Sequence, residues 1–285
     1  MKTYIDYGKQ LLKEMKKDRA TGLAAEQSYY YVLSIFPILI LLLSILPYLS
    51  IEPIKAINFI RDVLPPDTAT LIEENVMEIV TSPNGGLLTF GIIGTIWSAS
   101  NGVQAFIHSM NVAFDMKETR SFIKIRLLSI VLTIGLLIAF IIALLLPVFG
   151  NVILDFISSY ISIPSEFKML FSLLRWVVAI VIISFVLAFL YHLAPNKHYP
   201  YKHVFPGAVV ATLLWLAISL GFSFYVSNFG SYSDTYGSIG GVIVLMIWLY
   251  LTGLALVIGG EINAIYHRTI MSTSKPTGQD RSLNA

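Results

Sequence analysis

The sequence predicts an all-α fold: a polytopic membrane bundle of six transmembrane helices, both termini cytoplasmic, with amphipathic helices in the first outer loop. Three observations predict it. Only 13% of the residues are charged and 56% are hydrophobic, whereas a soluble domain carries roughly a quarter charged residues. The apolar residues gather into runs near the roughly twenty residues needed to cross a bilayer core of about 30 Å. Lysine and arginine concentrate in alternate connections between those runs.

The 285-residue chain has no cysteine, which excludes disulfides, thiolate metal sites and cysteine nucleophiles and leaves the redox compartment open. Its net charge of +2 says little until the charges are placed. The first apolar run opens only near Ser28, is about twenty residues long, and has no small-residue cleavage site after it. A cleavable signal peptide is therefore not expected.

Residues 1–27 form a cytoplasmic basic leader holding six of the nineteen Lys and Arg: Lys2, Lys9, Lys13, Lys16, Lys17 and Arg19. Ile5, Leu12 and Met15 lie near one helical face, which suits a short helix on the membrane surface; a solvated leader that sets topology is the plainer reading. The six-helix membrane domain covers 28–264. Its first span, about 28–49, contains Pro37, which removes a backbone hydrogen bond and predicts a kink. The loop 50–86 is acidic and divided by Pro65-Pro66. Capping-box spacing at Thr70 and Glu73, followed by Leu71, Ile72, Val76, Ile79 and Val80, predicts an amphipathic helix there, with a second over 54–64.

The second span is about 87–110 and the third, almost wholly aliphatic, about 127–149. The fourth is about 171–193. The fifth, about 206–227, starts with Pro206 in its first turn, where proline is tolerated. The sixth is about 238–264. Residues 228–236 read as a tight outer turn. Gly237 and Gly241 have the GxxxG spacing of close helix packing, with an outer gate as the sharper alternative. The polar tail 265–285 is expected to be disordered.

With the N-terminus inside, fifteen of the nineteen basic residues fall in the leader, the 111–126 loop, the 194–203 turn and the tail. The positive-inside rule then places both termini in the cytoplasm of a multi-pass protein of the cell (inner or plasma) membrane. Tyr29, Tyr30 and Tyr31 match an inner aromatic belt. Arg175 falls on the outer side, near Asp155 and Glu166 as candidate partners, or snorkels to the interface.

One polar stripe interrupts this apolar pattern. Asn101, Gln104, His108 and Asn111 recur at steps of three, four and three, so a helix puts them on one face with Trp97 and Ser100. Polar groups in hydrocarbon are costly unless they face protein or a water-filled cavity. The stripe is thus either interhelical hydrogen-bonding glue or the wall of a substrate path. Near the inner surface Glu26, Arg120, Arg126 and Glu261 form a candidate charge cluster. Glu261 needs a partner, for which Arg126, Arg120 and His108 are the candidates. It reads as a coupling or headgroup-binding charge, or as an interfacial salt bridge. If spans one, two and six adjoin, Glu26, His108, Asn111 and Glu261 line one inner pocket. Imidazole suits proton-linked roles, which is the sharper reading of His108 beside the plainer one of an interfacial hydrogen-bonder; the histidines lack paired metal-ligand spacing, so no metal site is expected.

Several stretches, in order, resemble the YihY/BrkB family of bacterial inner-membrane proteins. They are Ala24-Ala-Glu-Gln-Ser-Tyr-Tyr30, Leu33-Ser-Ile-Phe-Pro37, Gly91-Ile-Ile-Gly-Thr-Ile-Trp-Ser-Ala-Ser100 and Ala194-Pro-Asn196. Pro206-Gly-Ala208, Tyr236-Gly-Ser-Ile-Gly240, Trp248-Leu-Tyr250 and Gly260-Glu-Ile-Asn-Ala264 continue the match, which covers about residues 20–265. The resemblance implies a six-helix membrane domain. It implies general links to envelope integrity, serum resistance and a suggested part in lipid transport, and it brings no settled activity or agreed functional residues. Some members carried a ribonuclease BN label.

No phosphate loop, zinc-protease helix or nucleophile elbow is present. A nuclease needs clustered carboxylates to hold metal ions, and the acidic residues here are scattered or lie outside. The expectation is therefore a protein with no catalytic residues and no cofactor, not an enzyme and not bound to nucleic acid. Its first functional reading is a transporter or flippase for a lipid or other amphiphile, with membrane lipids as partners. The alternatives are a non-transporting envelope scaffold, pairing with itself or with another envelope protein, and a proton- or ion-coupled small-solute carrier built on His108, Glu26 and Glu261.

Overall fold

The computed structural model describes residues 4–49, 54, 77, 82–137, 165–229 and 238–273, and every extended element among them is helical. Helix α1 spans Tyr4–Lys17 and α2 spans Ala20–Ile45. Helix α3 covers Gly85–Ala113 and α4 covers 122–137. Then come α5, Ser165–Leu193, α6, Tyr201–Phe229, and α7, Ser238–Thr273. The expected amphipathic helices of the 50–86 loop, the Gly237 half of the GxxxG pair and the end of the third span lie outside the described residues.

Four described segments are long and apolar enough to cross a membrane: Ala20–Tyr48, Trp176–Leu193, Tyr201–Val226 and Gly240–Ser272. Helix α3 is not among them, although its 29 residues give a rod about 44 Å long. Its Ser, Asn, Gln and His residues lower its hydropathy. Helix α2 packs along α3; α7 packs against α6, α2 and α3; α5 packs against α6. The outward faces carry Phe90, Ile93, Val131, Phe185, Leu220 and Phe224, all exposed, as a surface facing hydrocarbon requires.

The boundary between leader and first span differs from the sequence expectation. The break lies at Arg19, whose φ of 53° is left-handed, and α2 begins at Ala20 rather than near Ser28. Hydropathy marks where lipid begins, whereas helix formation follows packing. Ala20, Leu23, Ala24 and Gln27 are buried, Ala20 and Leu23 in a cluster with Val257 of α7. Met15 of α1 joins that cluster while Ile5 and Leu12 stay exposed.

Residues 265–273, expected within the disordered tail, are helical instead, because α7 continues to Thr273, and 274–285 lie outside the described residues. Ile265 is buried, and Arg268 Nη1 donates to Asp115 Oδ2 at 2.8 Å. Proline 206 sits not in the first turn but as the sixth residue of α6. The next amide, Gly207 N–H, donates to Asn263 Oδ1 of α7 at 2.7 Å, so a neighbouring helix supplies an acceptor where the ladder is interrupted. Asn84 starts α3 as its N-cap, its side chain accepting from Leu87 N–H at 2.9 Å. At Gly241 an added Cβ would meet open space, so no packing contact among the described residues requires that glycine.

One core cluster joins α3, α5 and α6. Phe106, Ile107 and Met110 of α3 meet Tyr191 of α5 and Val204, Ala208 and Ala211 of α6. Tyr191 satisfies its buried hydroxyl by donating to the Leu256 carbonyl at 2.7 Å.

Candidate polar pocket between α2 and α3

The stripe of α3 opens into a pocket of about 260 Å³. Its walls are Glu26 and Tyr30 of α2; Asn101, Gln104, Ala105, Ile107, His108 and Asn111 of α3; Glu118 of the following loop; and Ile125 of α4. Four of the six stripe residues thus line one cavity. The other two do not. Ser100 is fully buried and returns its hydroxyl to the Trp97 carbonyl at 2.9 Å. Trp97 is 56% exposed.

Each lining residue has its own bonding state. His108 Nδ1 lies 3.4 Å from Glu26 Oε2, at the mouth, where both side chains are exposed. This contact joins the polar ends of α2 and α3. Asn111 is buried and bonded at both ends of its amide: its Nδ2 donates to Glu118 Oε2 at 2.9 Å, and its Oδ1 accepts from Asn196 N–H at 2.7 Å. It ties α3 to the loop behind it and to the α5–α6 turn. No hydrogen bond among the described residues holds Gln104, which leaves its amide to the cavity.

The arginines do not gather around Glu261. Arg126 Nη1 donates to Asn101 Oδ1 at 2.5 Å and Nη2 to the Trp97 carbonyl at 3.1 Å, while its guanidinium carbon sits 3.6 Å from the centre of the Trp97 ring. Arg120 grips Glu118 through Nε at 2.9 Å and Nη2 at 2.7 Å, and its Nη2 also reaches the Ala194 carbonyl at 2.8 Å. These bonds from Arg120 hold the Glu118 carboxyl below its ordinary value of 4.5. Glu118 is thereby neutralised in place, and Glu26 remains the acidic group of the wall without an arginine.

Glu261 is a correction on two counts. It does not line this pocket, and neither Arg126, Arg120 nor His108 is its partner. It is fully buried, at the junction of α7 with the end of α1. Its neighbours there are Arg268, two turns further along α7, and Glu14 and Asp18, which come from a leader whose folding back onto α7 no local pattern announces. The four-residue inner cluster therefore divides into separate places. Sequence reasoning also missed two features with no periodic signal. Gln27 is buried and donates to Ser109 Oγ at 2.8 Å, joining α2 to α3. His203 and His267 meet with their Nδ1 atoms 2.8 Å apart. Among the described residues no group of three His, Asp or Glu could hold a metal ion.

The family model for virulence factor BrkB matches residues 11–284. The chain belongs to the BrkB family. Among its relatives is the protein named ribonuclease-like YfkH of Bacillus subtilis (strain 168), 43% identical over 264 residues, covering 93% of this chain and 96% of YfkH. A UPF0761 membrane protein of Vibrio vulnificus (strain YJ016) is 28% identical over 265 residues, covering 91% of this chain and 82% of its own. Another, from Aliivibrio salmonicida (strain LFI1238), is 30% identical over 253 residues, covering 87% and 78% respectively. No solved structure matches the chain. Membership of this family, with several helices apolar enough to cross a bilayer, makes the chain a membrane protein.

Proposed function

We propose that this BrkB-family protein transports or flips a lipid or other amphiphile, with the headgroup entering the α2–α3 pocket. The observation that supports it is the pocket itself: an open cavity of about 260 Å³ walled by Glu26, Asn101, Gln104, His108 and Asn111 in an otherwise apolar bundle. Exposed apolar side chains such as Phe90, Ile93 and Trp97 lie on the same helix and suit acyl chains beside a polar groove. Glu26 and the Gln104 amide favour a headgroup that offers hydrogen-bond donors. In this reading the chain has six spans and cytoplasmic termini, α3 and α4 belong to the second and third spans, and the pocket opens toward the inner leaflet. We do not extend the ribonuclease-like name of the Bacillus relative to this chain: Glu118 is engaged by Arg120, which leaves Glu26 as one carboxylate, too few for a metal-dependent nuclease.

The test is lipid translocation by the purified protein in proteoliposomes, using fluorescent and native lipids. Glu26→Gln and Gln104→Leu should abolish flux while leaving expression and thermal unfolding near wild type. Wild-type flux that both variants retain would remove the pocket from the path.

A second reading, a non-transporting envelope scaffold, is favoured by the bonds that occupy Asn101, Asn111 and Arg126 internally. It predicts no wild-type flux over a broad lipid panel, and co-purification of a second copy or another envelope protein in fixed ratio.

A further inference from the structure

We propose that Asp18 and Glu261 form a proton-binding site, one proton held between two buried carboxyl groups where the end of α1 meets α7. The site stands apart from the α2–α3 pocket and does not depend on what that pocket carries.

Glu261 is fully buried, and neither of its carboxyl oxygens has a hydrogen-bond donor among the described residues. The Asp18 carboxyl lies within hydrogen-bonding reach of it. Asp18 is itself 7% exposed in its side chain, and its Oδ2 is buried without a donor. Two ionised carboxylates facing each other without a donor repel and lose their hydration. A single proton removes both penalties, since the protonated group becomes the donor that the other accepts from. Burial pushes the Asp18 carboxyl above its ordinary value of 3.8; Lys17 opposes the shift, and Asp115 and Glu14 add to it.

The surrounding charges do not replace that proton. From α1, Glu14 and Lys17 face the pair; from the end of α3 comes Asp115; from α7 itself, Arg268. Lys17 gives its shortest contact to Asp115 at 2.7 Å and sits 3.6 Å from Asp18 Oδ1. Arg268 likewise gives its shortest contact to Asp115, at 2.8 Å, and reaches Glu14 at 3.5 Å. Both cations are thus drawn outward, and neither makes an ion pair with Glu261. The other helices packed on this part of α7 bring uncharged groups: Ala20 and Leu23 of α2 beside Val257, Met110 of α3 at Gly260, and Gly207 and Ala211 of α6 at Gly259. Loss of the proton puts two like charges across the α1–α7 junction, so proton binding is linked to the docking of α1.

Infrared spectroscopy of the full-length protein in lipid nanodiscs tests this through the carbonyl stretch of a protonated carboxyl group. Wild type should show that band at neutral pH, shifted by deuterium exchange and lost as the solution is made alkaline. Glu261→Gln should lose it. Asp18→Asn should lose it too, because the asparagine amide then supplies the donor to an ionised Glu261. If Glu261→Gln does not accumulate, Asp18→Asn alone decides. A wild-type spectrum without the band at neutral pH overturns the proposal. So does a band that persists in Glu261→Gln or in Asp18→Asn.

Discussion

Gly207 of α6 and Gly259 of α7 meet backbone to backbone. A Cβ placed on Gly207 would collide with the Gly259 carbonyl oxygen, and one placed on Gly259 would lie 2.7 Å from the Gly207 carbonyl oxygen. The Tyr191 hydroxyl and Ala211 close the remaining space around Gly259. Small residues that let two helices touch are a common device in membrane bundles, where packing rather than water exclusion holds helices together.

Gly207→Ala and Gly259→Ala should each destabilise the bundle by about 1–3 kcal/mol, since neither collision is with a flexible side chain alone. Gly241→Ala is the matched control, because a Cβ there meets open space. Thermal unfolding in detergent separates the three. Equal melting temperatures for Gly207→Ala and wild type would show that α6 and α7 do not cross this closely.

Asn111 and Gln104 should part company although they share a helical stripe. Asn111→Leu strands Glu118, which loses a donor, and leaves the part-buried Asn196 amide without its acceptor. A loss of about 1–3 kcal/mol follows, seen as lower melting temperature and poorer accumulation. Gln104→Leu breaks no internal bond and should leave stability unchanged while altering any activity that passes through the pocket. If Asn111→Leu melts like wild type, the joint between α3, its following loop and the α5–α6 turn is not what holds that end together.

That contrast shows what the sequence could reveal. Steps of three and four placed Asn101, Gln104, His108 and Asn111 on one face because helical geometry is local, and the pocket collects all four. The Glu26–His108 approach needs α2 to lie along α3, and local pattern does not name helix neighbours. Glu261 was legible as an anomaly, a carboxylate inside an apolar run, but its surroundings were not. They depend on α1 turning at the left-handed Arg19 and lying against α7, a contact across more than two hundred residues of chain. The Gly207–Gly259 contact was hidden for the same reason: Gly237-xxx-Gly241 carried the familiar spacing, while the glycines in contact lie on different helices. The start of the apolar run near Ser28 and the helix start at Ala20 differ because one reports solvent preference and the other packing.

Arg126 should be more sensitive to shape than to charge. Its planar guanidinium bonds Asn101 and the Trp97 carbonyl while lying over the Trp97 ring. A lysine keeps the charge but loses the fork and the flat face. Arg126→Lys should therefore cost about 1–2 kcal/mol, and Arg126→Leu at least as much, because it also leaves the Asn101 carbonyl without its donor. Trp97→Phe should lie between wild type and Trp97→Leu, as the ring face is weakened and then removed. Urea unfolding followed by tryptophan emission can rank the Arg126 variants, and thermal unfolding the Trp97 pair. Arg126→Lys matching wild type would mean that the stacked geometry contributes nothing.

The Glu118–Arg120 pair sets an acid limit with a definite sign. Because the folded protein holds Glu118 below its ordinary value of 4.5, its contribution is fully present above that value. It is lost as pH falls through the lower folded value. Glu118→Gln lacks the contribution at every pH, so the gap between wild type and variant should be about 1 kcal/mol at neutral pH. The gap should close on acidification, as wild-type Glu118 takes up its proton and releases Arg120 from the carboxylate. Asp18 acts in the opposite direction: its raised value makes its contribution favourable in acid and lost as pH rises. Asp18→Asn should therefore gain relative to wild type toward alkaline pH, while Glu118→Gln gains relative to wild type toward acid. Melting temperatures of the three proteins across a pH series show both trends in one experiment. Parallel curves for wild type and Glu118→Gln down into the acid range would mean that Arg120 does not hold an ionised Glu118 in the fold.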